Sequence, residues 1–350
     1  MKKSIRTIAA ALAAALAFVP LCSCGGDDQP SEKITDKTKT YEVVPYVWSD
    51  GDRMPDPRLI TGLTYIGSTI NDNRDGFVIR NEPRFNQLLN LKKTNPNLKV
   101  YFCIGGTCKS GFTTLAGNQA KREAFAEQCA KLIKERGVDG IDFDWEFPGW
   151  EGGSSADGAN YILLLKAVRE KIGNDKNLTV CVGNNADGFD VKEALKVVDY
   201  LNVMTYDMGS GEAHTHHTSL RRSYLSGYTT VEEAIGRYVK KGVPYDKMML
   251  GLAFYGRGNN IEFKDWTDYR YIVPGEGMTE KWDDVACVPY ITNSKGELII
   301  SYENPRSIAI KCDYIKENGF RGAMIWRAEY DTDDYVMARA VAAGLLVIKE

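Results

Sequence analysis

The 350-residue sequence predicts an α/β fold, a (β/α)8 TIM barrel with short loop insertions. Strand-like and helix-like segments alternate along the chain, which is typical of a parallel sheet covered by helices. The candidate strands number eight, and the chain is long enough for a barrel of about 250 residues plus loops. We find no internal repeat and no second domain, so residues 40–350 are predicted to form one domain.

The candidate strands are short segments rich in β-branched and aromatic residues. In chain order they are Tyr41–Trp48, Leu63–Ser68, Lys99–Ile104, Gly140–Trp145, Leu178–Val182, Tyr200–Thr205, Met248–Phe254 and Ala323–Trp326. The strongest helices have apolar residues at helical spacing. They are Asn118–Arg136, Asn160–Ile172, Val231–Lys241, Pro305–Glu317 and Asp334–Val347. A short helix is expected near Asp56–Ile60, between the first two strands.

The N-terminal residues have the pattern of an export signal. Three basic residues precede an apolar stretch from Ile8 to Leu21, which is too short to span a bilayer as a helix. It ends in Leu-Cys-Ser-Cys-Gly-Gly, which resembles the lipobox of bacterial lipoproteins. We expect residues 1–23 to be a signal peptide, Cys24 to be lipidated and residues 24–39 to be a flexible tether. Ordinary signal cleavage, or lipidation of Cys22, is the alternative.

The net charge limits the classes of partner that we expect, and the N-terminal segment and the cysteine spacing bear on where the protein is located. The formal net charge is −3, and removal of residues 1–23, which carry three positive and no negative charges, leaves −6. This argues against nucleic acid or an anionic membrane as a partner, so membrane contact is expected through the lipid anchor only. Asp27 and Asp28 resemble an acidic surface-export signal, so the expected location is the cell envelope, on the outer-membrane surface facing outside. The later cysteines lack CxxC spacing and are expected to be mostly buried free thiols.

The segment Asp139-Gly-Ile-Asp142-Phe-Asp144-Trp-Glu146 places three carboxylates at alternate positions of a strand. Asp142, Asp144 and Glu146 should therefore point to one face, with Trp145 packed behind it. Clustered acids repel one another and are costly to bury, so at least one pKa should be raised, as a general acid near neutral pH requires. The alternative is that they cap the strand or bind a structural cation. Asp139 is out of phase and is expected to have a turn or capping role.

At this motif the chain resembles glycoside hydrolase family 18, of the chitinase type. Segments that match the family occur in its order, namely Ile104-Gly-Gly, the acidic strand, Leu201–Asp207, Gly251–Arg257, Ser301–Ile308 and Gly322–Trp326. The resemblance implies hydrolysis of β-1,4-linked N-acetylglucosamine glycans, chitin or chitooligosaccharides, with retention of configuration. It implies no cofactor and no metal.

The resemblance also implies a role for each catalytic residue. Glu146 would protonate the glycosidic oxygen, and the substrate's own acetamide would attack the anomeric carbon in place of a carboxylate. Asp144 would orient the acetamide N–H, and Asp142 would share a proton with Asp144. Tyr206 would hold the acetamide oxygen, and Asp207 would contact sugar hydroxyls.

Other residues are expected to bind the glycan. Trp326 is the candidate floor beneath a pyranose, although a core role is the alternative. Tyr46 and Trp48 are expected at the inner wall and the adjoining sugar site, and Met204 is expected beside them. Arg257 either reaches into the cleft or braces the barrel rim. Three loop tryptophans are candidate outer platforms, with surface packing equally consistent: Trp150, Trp266 and Trp282.

The chain departs from the family pattern at several positions. Cys103 stands where Ser is usual, Thr107 where Trp is usual and Phe147 where Tyr is common. The segment from Arg257 to Trp282 has about twenty-five residues, too few for the α+β insertion that deepens the cleft in many relatives. We therefore expect an open cleft, which favours endo cutting or branched substrates.

Two alternative functions remain open on the sequence. An endo-β-N-acetylglucosaminidase acting on N-glycans would use the same acids, and a non-catalytic surface protein could bind glycans without cutting them. Intact Glu146 argues against the second. The histidines, His214, His216 and His217, lie in one short stretch but lack patterned carboxylate ligands, so no metal site is expected there.

Overall fold

The computed structural model describes residues 40–106, 108–209, 214–258 and 263–346. The strands are β1 (Glu42–Trp48), β2 (Gly62–Ile70), β3 (Phe77–Ile79), β4 (Lys99–Gly106), β5 (Gly140–Trp145), β6 (Asn177–Val182), β7 (Tyr200–Val203), β8 (Met248–Ala253), β9 (Tyr255–Gly258), β10 (Thr267–Asp268), β11 (Thr279–Asp283), β12 (Val288–Thr292), β13 (Leu298–Ser301) and β14 (Gly322–Trp326). The helices are α1 (Glu82–Asn90), α2 (Phe112–Gly117), α3 (Gln119–Arg136), α4 (Asp157–Ile172), α5 (Val191–Ala194), α6 (Val231–Lys240), α7 (Pro305–Asn318) and α8 (Val336–Leu345).

Eight of these strands form a closed parallel barrel, in the order β1-β2-β4-β5-β6-β7-β8-β14. The barrel closes because β1 pairs in parallel with both β14 and β2. Strand β3 is an antiparallel addition beside β2. The predicted (β/α)8 barrel is confirmed, and all eight predicted strands are present with ends within two residues of those observed.

The helix expected near Asp56–Ile60 is wrong. This segment is a turn in which the Asp56 carboxylate accepts hydrogen bonds from the backbone N–H and the guanidinium of Arg58. A proline on each side of Asp56 explains the difference, because proline lacks a backbone N–H and restricts the residue before it. Sequence analysis did not assign the short helices α1, α2 and α5.

Strand alternation sorts the side chains of β5 onto two faces. On the outward face, Trp145 stacks on Phe112 with ring centroids 5.0 Å apart and meets Tyr161 edge-on, so its predicted packing role is confirmed. Asp139 precedes the strand, and its carboxylate accepts a hydrogen bond from the backbone N–H of Val100. Its predicted structural role is therefore confirmed as well.

A second, antiparallel sheet is inserted between β8 and α7, with the strand order β10-β9-β13-β12-β11. Its own apolar cluster includes Phe263, Ile291 and Ile300. We expected too few residues for an α+β insertion. In the described part of this segment, the insertion consists of strands with one 3-10 turn and continues to Ser301, so it is larger than short loops.

Five cysteines are buried free thiols, as predicted for most of them: Cys103, Cys129, Cys181, Cys287 and Cys312. In the parts of the chain that the structure describes, no helix combines the length and the apolar character needed to cross a bilayer. The predicted signal peptide, the lipidated Cys24 and the tether lie outside the described residues, and so does Thr107.

Candidate active site

The candidate site lies where the carboxyl ends of the barrel strands meet, which is the catalytic face of (β/α)8 barrels. Trp48 is the last residue of β1 and Trp326 the last residue of β14, while Glu146 directly follows β5. Asp207 comes four residues after β7. The fold thus brings residues that are distant in sequence to one face.

Asp142 lies deepest and is held by three neutral donors. The Tyr46 hydroxyl donates to its Oδ2 at 2.7 Å, and the Asn202 amide donates to its Oδ1 at 3.0 Å. The Thr179 hydroxyl also donates to Oδ1. These bonds offset the cost of burying the carboxyl group and fix its orientation. The proton sharing expected between Asp142 and Asp144 stays a prediction.

Asp144 is buried but incompletely bonded. Its Oδ1 has no hydrogen-bond partner in the structure. Burial, followed by the negative charges of Glu146 and Asp142, raises the pKa of Asp144 well above its ordinary value. A buried carboxyl oxygen without a partner is costly, and a ligand N–H at this position would remove that cost.

Glu146 stands above Asp144 at the opening of the cleft. Glu146 as a whole residue is exposed, but the protein atoms around its carboxyl group reduce its hydration. This desolvation, together with the negative charge of Asp207, raises the pKa of Glu146. A raised pKa keeps the carboxyl group protonated at higher pH, as a general acid requires.

Asp207 is an anion fixed by three neighbours. The Tyr255 hydroxyl donates to its Oδ1 at 2.7 Å, the Arg257 guanidinium at 3.0 Å, and His217 Nδ1 lies 3.7 Å away. Burial raises the pKa of Asp207, but the hydrogen bonds and positive charges of these neighbours outweigh it, so the pKa lies below its ordinary value. Arg257 therefore holds Asp207 in place, a contact that sequence analysis did not predict, and its expected role in binding the glycan stays a prediction.

One cavity, of about 410 Å³, lies beside Asp144 and Glu146, and we call it the Trp326 cavity. Its other lining residues are Tyr46, Cys181, Met204, Tyr206, Asp207, Trp266 and Trp326. Trp326 Nε1 is buried and has no hydrogen-bond partner among the residues that the structure describes. The Tyr206 hydroxyl contacts only a weak acceptor, Met324 Sδ at 3.7 Å, and burial raises its pKa, so it stays protonated as a donor.

The aromatic residues around Trp326 divide into lining and supporting groups. Trp48 meets Trp326 edge-on with centroids 5.9 Å apart but does not line the cavity. Trp266, from the inserted sheet, does line it and stacks on Tyr255 at 4.6 Å. Trp282 lies under the guanidinium of Arg306 and does not line the Trp326 cavity.

A second cavity, of about 580 Å³, adjoins the first, and we call it the Trp150 cavity. It shares Glu146, Met204, Tyr206 and Asp207 with the Trp326 cavity. Its other walls come from the loop after β5, the loop after β6 and Tyr228 just before α6, and they include Trp150 and Asn184. Glu146 therefore borders both cavities.

Residues 16–331 match the family described as Glycosyl hydrolases family 18. The chain belongs to this family. Chitinase A1 of Niallia circulans is 31% identical over 326 residues, which cover 79% of this chain and 46% of that protein. The chain spans about half to two thirds of the length of the curated chitinases that it matches.

Solved structures of family 18 enzymes share the fold of this chain. The chitinase ChiW from Paenibacillus sp. str. FPU-7 is 29% identical with a TM-score of 0.76, over 87% of this chain and 43% of that chain. A family 18 N-acetylglucosaminidase from Paenibacillus barengoltzii is 28% identical with a TM-score of 0.77, over 87% of this chain and 100% of that chain.

Sequence analysis missed several residues of this family 18 site. Thr179 and Cys181 alternate with outward-facing residues of β6, so strand periodicity could have placed both inside the barrel. Asn202 could have been found on β7 in the same way. Asn184 and Asp187 lie in an irregular loop, where no periodic signal exists.

The histidines of this family 18 chain support neighbouring groups. His217 contacts Asp207, and His216 Nε2 lies 3.2 Å from the carboxylate of Asp283. Burial lowers the pKa of His216 to about 4, so it is neutral near pH 7. Within the described residues, no cluster of three or more His, Cys, Asp and Glu could hold a metal ion.

Proposed function

We propose that this family 18 chain hydrolyses β-1,4-linked N-acetylglucosamine glycans, chitin or chitooligosaccharides, and that the substrate's acetamide is the nucleophile. One observation carries this proposal. An acetamide needs one hydrogen-bond acceptor for its N–H and one donor for its C=O. The Trp326 cavity offers Asp144 Oδ1, which has no partner, and the weakly bonded hydroxyl of Tyr206.

The proposed reaction has two steps. In the first, Glu146 gives its proton to the glycosidic oxygen, the C1–O bond breaks, and the acetamide oxygen bonds to C1 to form an oxazolinium ion. Asp144 accepts the hydrogen bond from the acetamide N–H. With the shared proton on Asp142, Asp144 is a carboxylate and balances the positive charge. In the second, Glu146 takes a proton from a water molecule, which attacks C1 and opens the ring. Two inversions at C1 give net retention.

The electrostatics of the site support this order of events. The raised pKa of Glu146 favours the protonated acid before the first step. Asp207 is held as an anion by Arg257 and Tyr255, so it is occupied by these partners and is poorly suited to attack C1. The names of the relatives, chitinases and an N-acetylglucosaminidase, support the same sugar as substrate.

The test compares chitooligosaccharides, a plain β-1,4-glucan and a high-mannose glycoprotein, with products read by mass spectrometry. Chitooligosaccharides should be cut, and the glucan should be inert because it lacks the attacking carbonyl. Glu146→Gln should lower kcat by about 10²–10⁴ with little change in substrate binding. Rapid glucan hydrolysis, or a sugar trapped covalently on a carboxylate, would contradict the mechanism. Release of N-glycans without chitooligosaccharide cutting would assign the alternative substrate.

We also propose that the protein is held at the cell envelope by a lipid on Cys24, from the lipobox-like segment of the sequence. Cys24→Ala should move the protein from the membrane fraction to the soluble fraction, because a diacylated cysteine supplies the anchor. The matched control is Cys22→Ala, which should leave it in the membrane fraction. If Cys22→Ala is released and Cys24→Ala stays in the membrane fraction, the lipid is on Cys22. If both variants stay in the membrane fraction, neither cysteine carries the anchor.

A further inference from the structure

The last turn of α6 faces the loop between β6 and α5, residues 183–190, which we call the β6 loop. This loop supplies Asn184, Asn185 and Asp187 to the wall of the Trp150 cavity. Three side chains at the end of α6 donate hydrogen bonds to backbone oxygens of the loop. We call these residues the α6 clamp: Arg237, Tyr238 and Lys241.

Each residue of the α6 clamp holds a different backbone oxygen of the β6 loop. Arg237 donates to Asn184 at 3.1 Å, Tyr238 donates to Gly183, and Lys241 donates to Ala186. The hydroxyl of Tyr238 is also hydrogen-bonded to the backbone of Ala186. Tyr238 is fully buried, so solvent does not replace the loop as its partner. Asn184 and Ala186 are buried as well, so an oxygen left without a donor there is costly.

Backbone strain explains why the β6 loop depends on this support. Ala186 is buried and has a φ of 57°, in the left-handed region. An alanine side chain disfavours this region by about five- to thirtyfold, because its Cβ crowds the following carbonyl oxygen. Strained backbone of this kind persists only where the surrounding contacts hold it. Tyr238 and Lys241 both bond to Ala186, so they supply such contacts.

Asn184 connects the β6 loop to the segment that follows β7. Its amide donates to the Tyr228 hydroxyl at 3.0 Å, and that hydroxyl lies 3.2 Å from the backbone oxygen of Asp207. Asn184 Nδ2 also lies 3.5 Å from the backbone oxygen of Tyr206. A displacement of the loop would therefore reach the residue proposed to hold the acetamide and the residue whose charge raises the pKa of Glu146.

We propose that the α6 clamp is a set of positioning residues for the proposed reaction. It holds the β6 loop in its strained conformation and, through Asn184, keeps Tyr206 and Asp207 in place. None of the clamp residues lines the Trp150 cavity or the Trp326 cavity, so they act through the loop and not on the glycan. The expected effect on hydrolysis rests on the proposed function, whereas the position of the loop can be measured without any substrate.

Two substitutions remove clamp donors and keep most of the packing. Tyr238→Phe removes one hydroxyl and keeps the ring, and Lys241→Met removes the ammonium group and keeps the apolar stem. The matched control is Lys240→Met on the same helix. Lys240 is exposed, and its ammonium group forms no hydrogen bond or ion pair among the described residues.

Hydrogen–deuterium exchange of the full chain, read by mass spectrometry without substrate, tests whether the clamp holds the loop. In the double variant Tyr238→Phe/Lys241→Met, the amides of residues 183–190 should exchange about five- to thirtyfold faster, the range that the strain at Ala186 sets. The amides of β5 should keep their protection, which separates local loosening from a loss of global stability. Lys240→Met should exchange like the parent. Unchanged protection of the loop in the double variant overturns the inference.

Hydrolysis of a chitooligosaccharide tests whether the loop positions the reacting residues. At a temperature where circular dichroism shows every variant folded, the double variant should lower kcat by about five- to thirtyfold, and Lys240→Met should not. Adding Ala186→Gly should restore most of kcat, because glycine adopts a positive φ without strain. A variant that is merely less stable would gain nothing from this glycine, which also frees the unfolded chain.

The outcomes separate the clamp from the proposed function. Unchanged kcat in the double variant, or no recovery with Ala186→Gly, overturns the positioning role. No hydrolysis of any oligosaccharide by the parent overturns the proposed function, while the exchange rates of residues 183–190 still decide whether the clamp holds the loop.

Discussion

At the scale of single residues, Asp207 provides a negative charge near Glu146. Its carboxylate is kept ionised by Tyr255, Arg257 and His217. Its negative charge in turn contributes to the raised pKa of Glu146, after desolvation. The proton affinity of the acid is therefore determined partly by residues that never touch it.

Asp207→Asn should move the alkaline limb of the kcat/KM profile to lower pH. The amide removes a negative charge next to Glu146, so the Glu146 anion becomes less unfavourable, its pKa falls, and the acid loses its proton at lower pH. The measurement is kcat/KM for a chitooligosaccharide as a function of pH. Asp175→Asn, an exposed carboxylate on the loop before β6, should leave the limb in place. A shift to higher pH in Asp207→Asn would contradict the account.

The site residues that could be predicted from the sequence alone are those that lie in strand alternation or in a recognisable motif. Alternation along β5 placed Asp142 and Asp144 on one face, and the segment after β7 marked Tyr206. The partners that orient these groups were harder to predict. Arg257 was identified without its function, because its contact with Asp207 depends on the path of the inserted sheet.

At the scale of secondary structure, one buried lysine of α7 forms an ion pair next to that helix and also bonds to the chain before α6. Lys311 lies on α7 with its ammonium group bonded to Glu303 and, at 2.6 Å, to the backbone oxygen of Thr218. Burial lowers the pKa of Lys311, and the charge of Glu303 opposes this shift. The Ser307 hydroxyl also donates to Glu303, at 2.7 Å.

Lys311→Met should destabilise the protein by about 3–5 kcal/mol, because it leaves the Glu303 carboxylate buried without a counter-charge. The free energy of unfolding in guanidinium chloride measures this. The matched control is Lys316→Met on the same helix, whose ammonium group is partly exposed and should contribute no more than about 1 kcal/mol. Adding Glu303→Leu to Lys311→Met should restore much of the loss. Equal stabilities of the two single variants would refute the pair's role.

The barrel elements were predictable, whereas the inserted sheet was not, for a physical reason. Each barrel strand has a continuous buried pattern, as in β5 and β8. The inserted strands are short: β10 has two residues, and β11 is mostly exposed. Isolated short antiparallel strands are marginal, so they form only with their neighbours and leave a weak local signal.

At the scale of the whole molecule, the fold depends on the seam where the last barrel strand meets the first. Gly322 of β14 is paired with Glu42 of β1 in the parallel register. A Cβ at this glycine would overlap the backbone oxygen of Glu42. The seam can close at the observed strand spacing because residue 322 has no side chain.

Gly322→Ala should destabilise the protein by about 1–3 kcal/mol, the cost of overpacking against backbone that cannot move freely. Thermal and chemical unfolding measure this change. Gly236→Ala is the control, since a Cβ at this position in α6 meets nothing within 4 Å, and it should stabilise the protein by about 0.4–1 kcal/mol. A Gly322→Ala protein as stable as the parent would show that the seam can widen at no cost.

Local folding of the inserted sheet should affect the pH dependence of the proposed reaction. Arg257 and Tyr255, two of the groups that hold Asp207 as an anion, belong to β9, and β9 pairs with β13 and β10 inside the insertion. Partial opening of this sheet would loosen those bonds before the barrel itself unfolds, since different parts of a protein open at different free energies. The proton affinity of Glu146 would then change while the barrel is intact. On the proposed function, the pH dependence of hydrolysis would therefore report the opening of the inserted sheet.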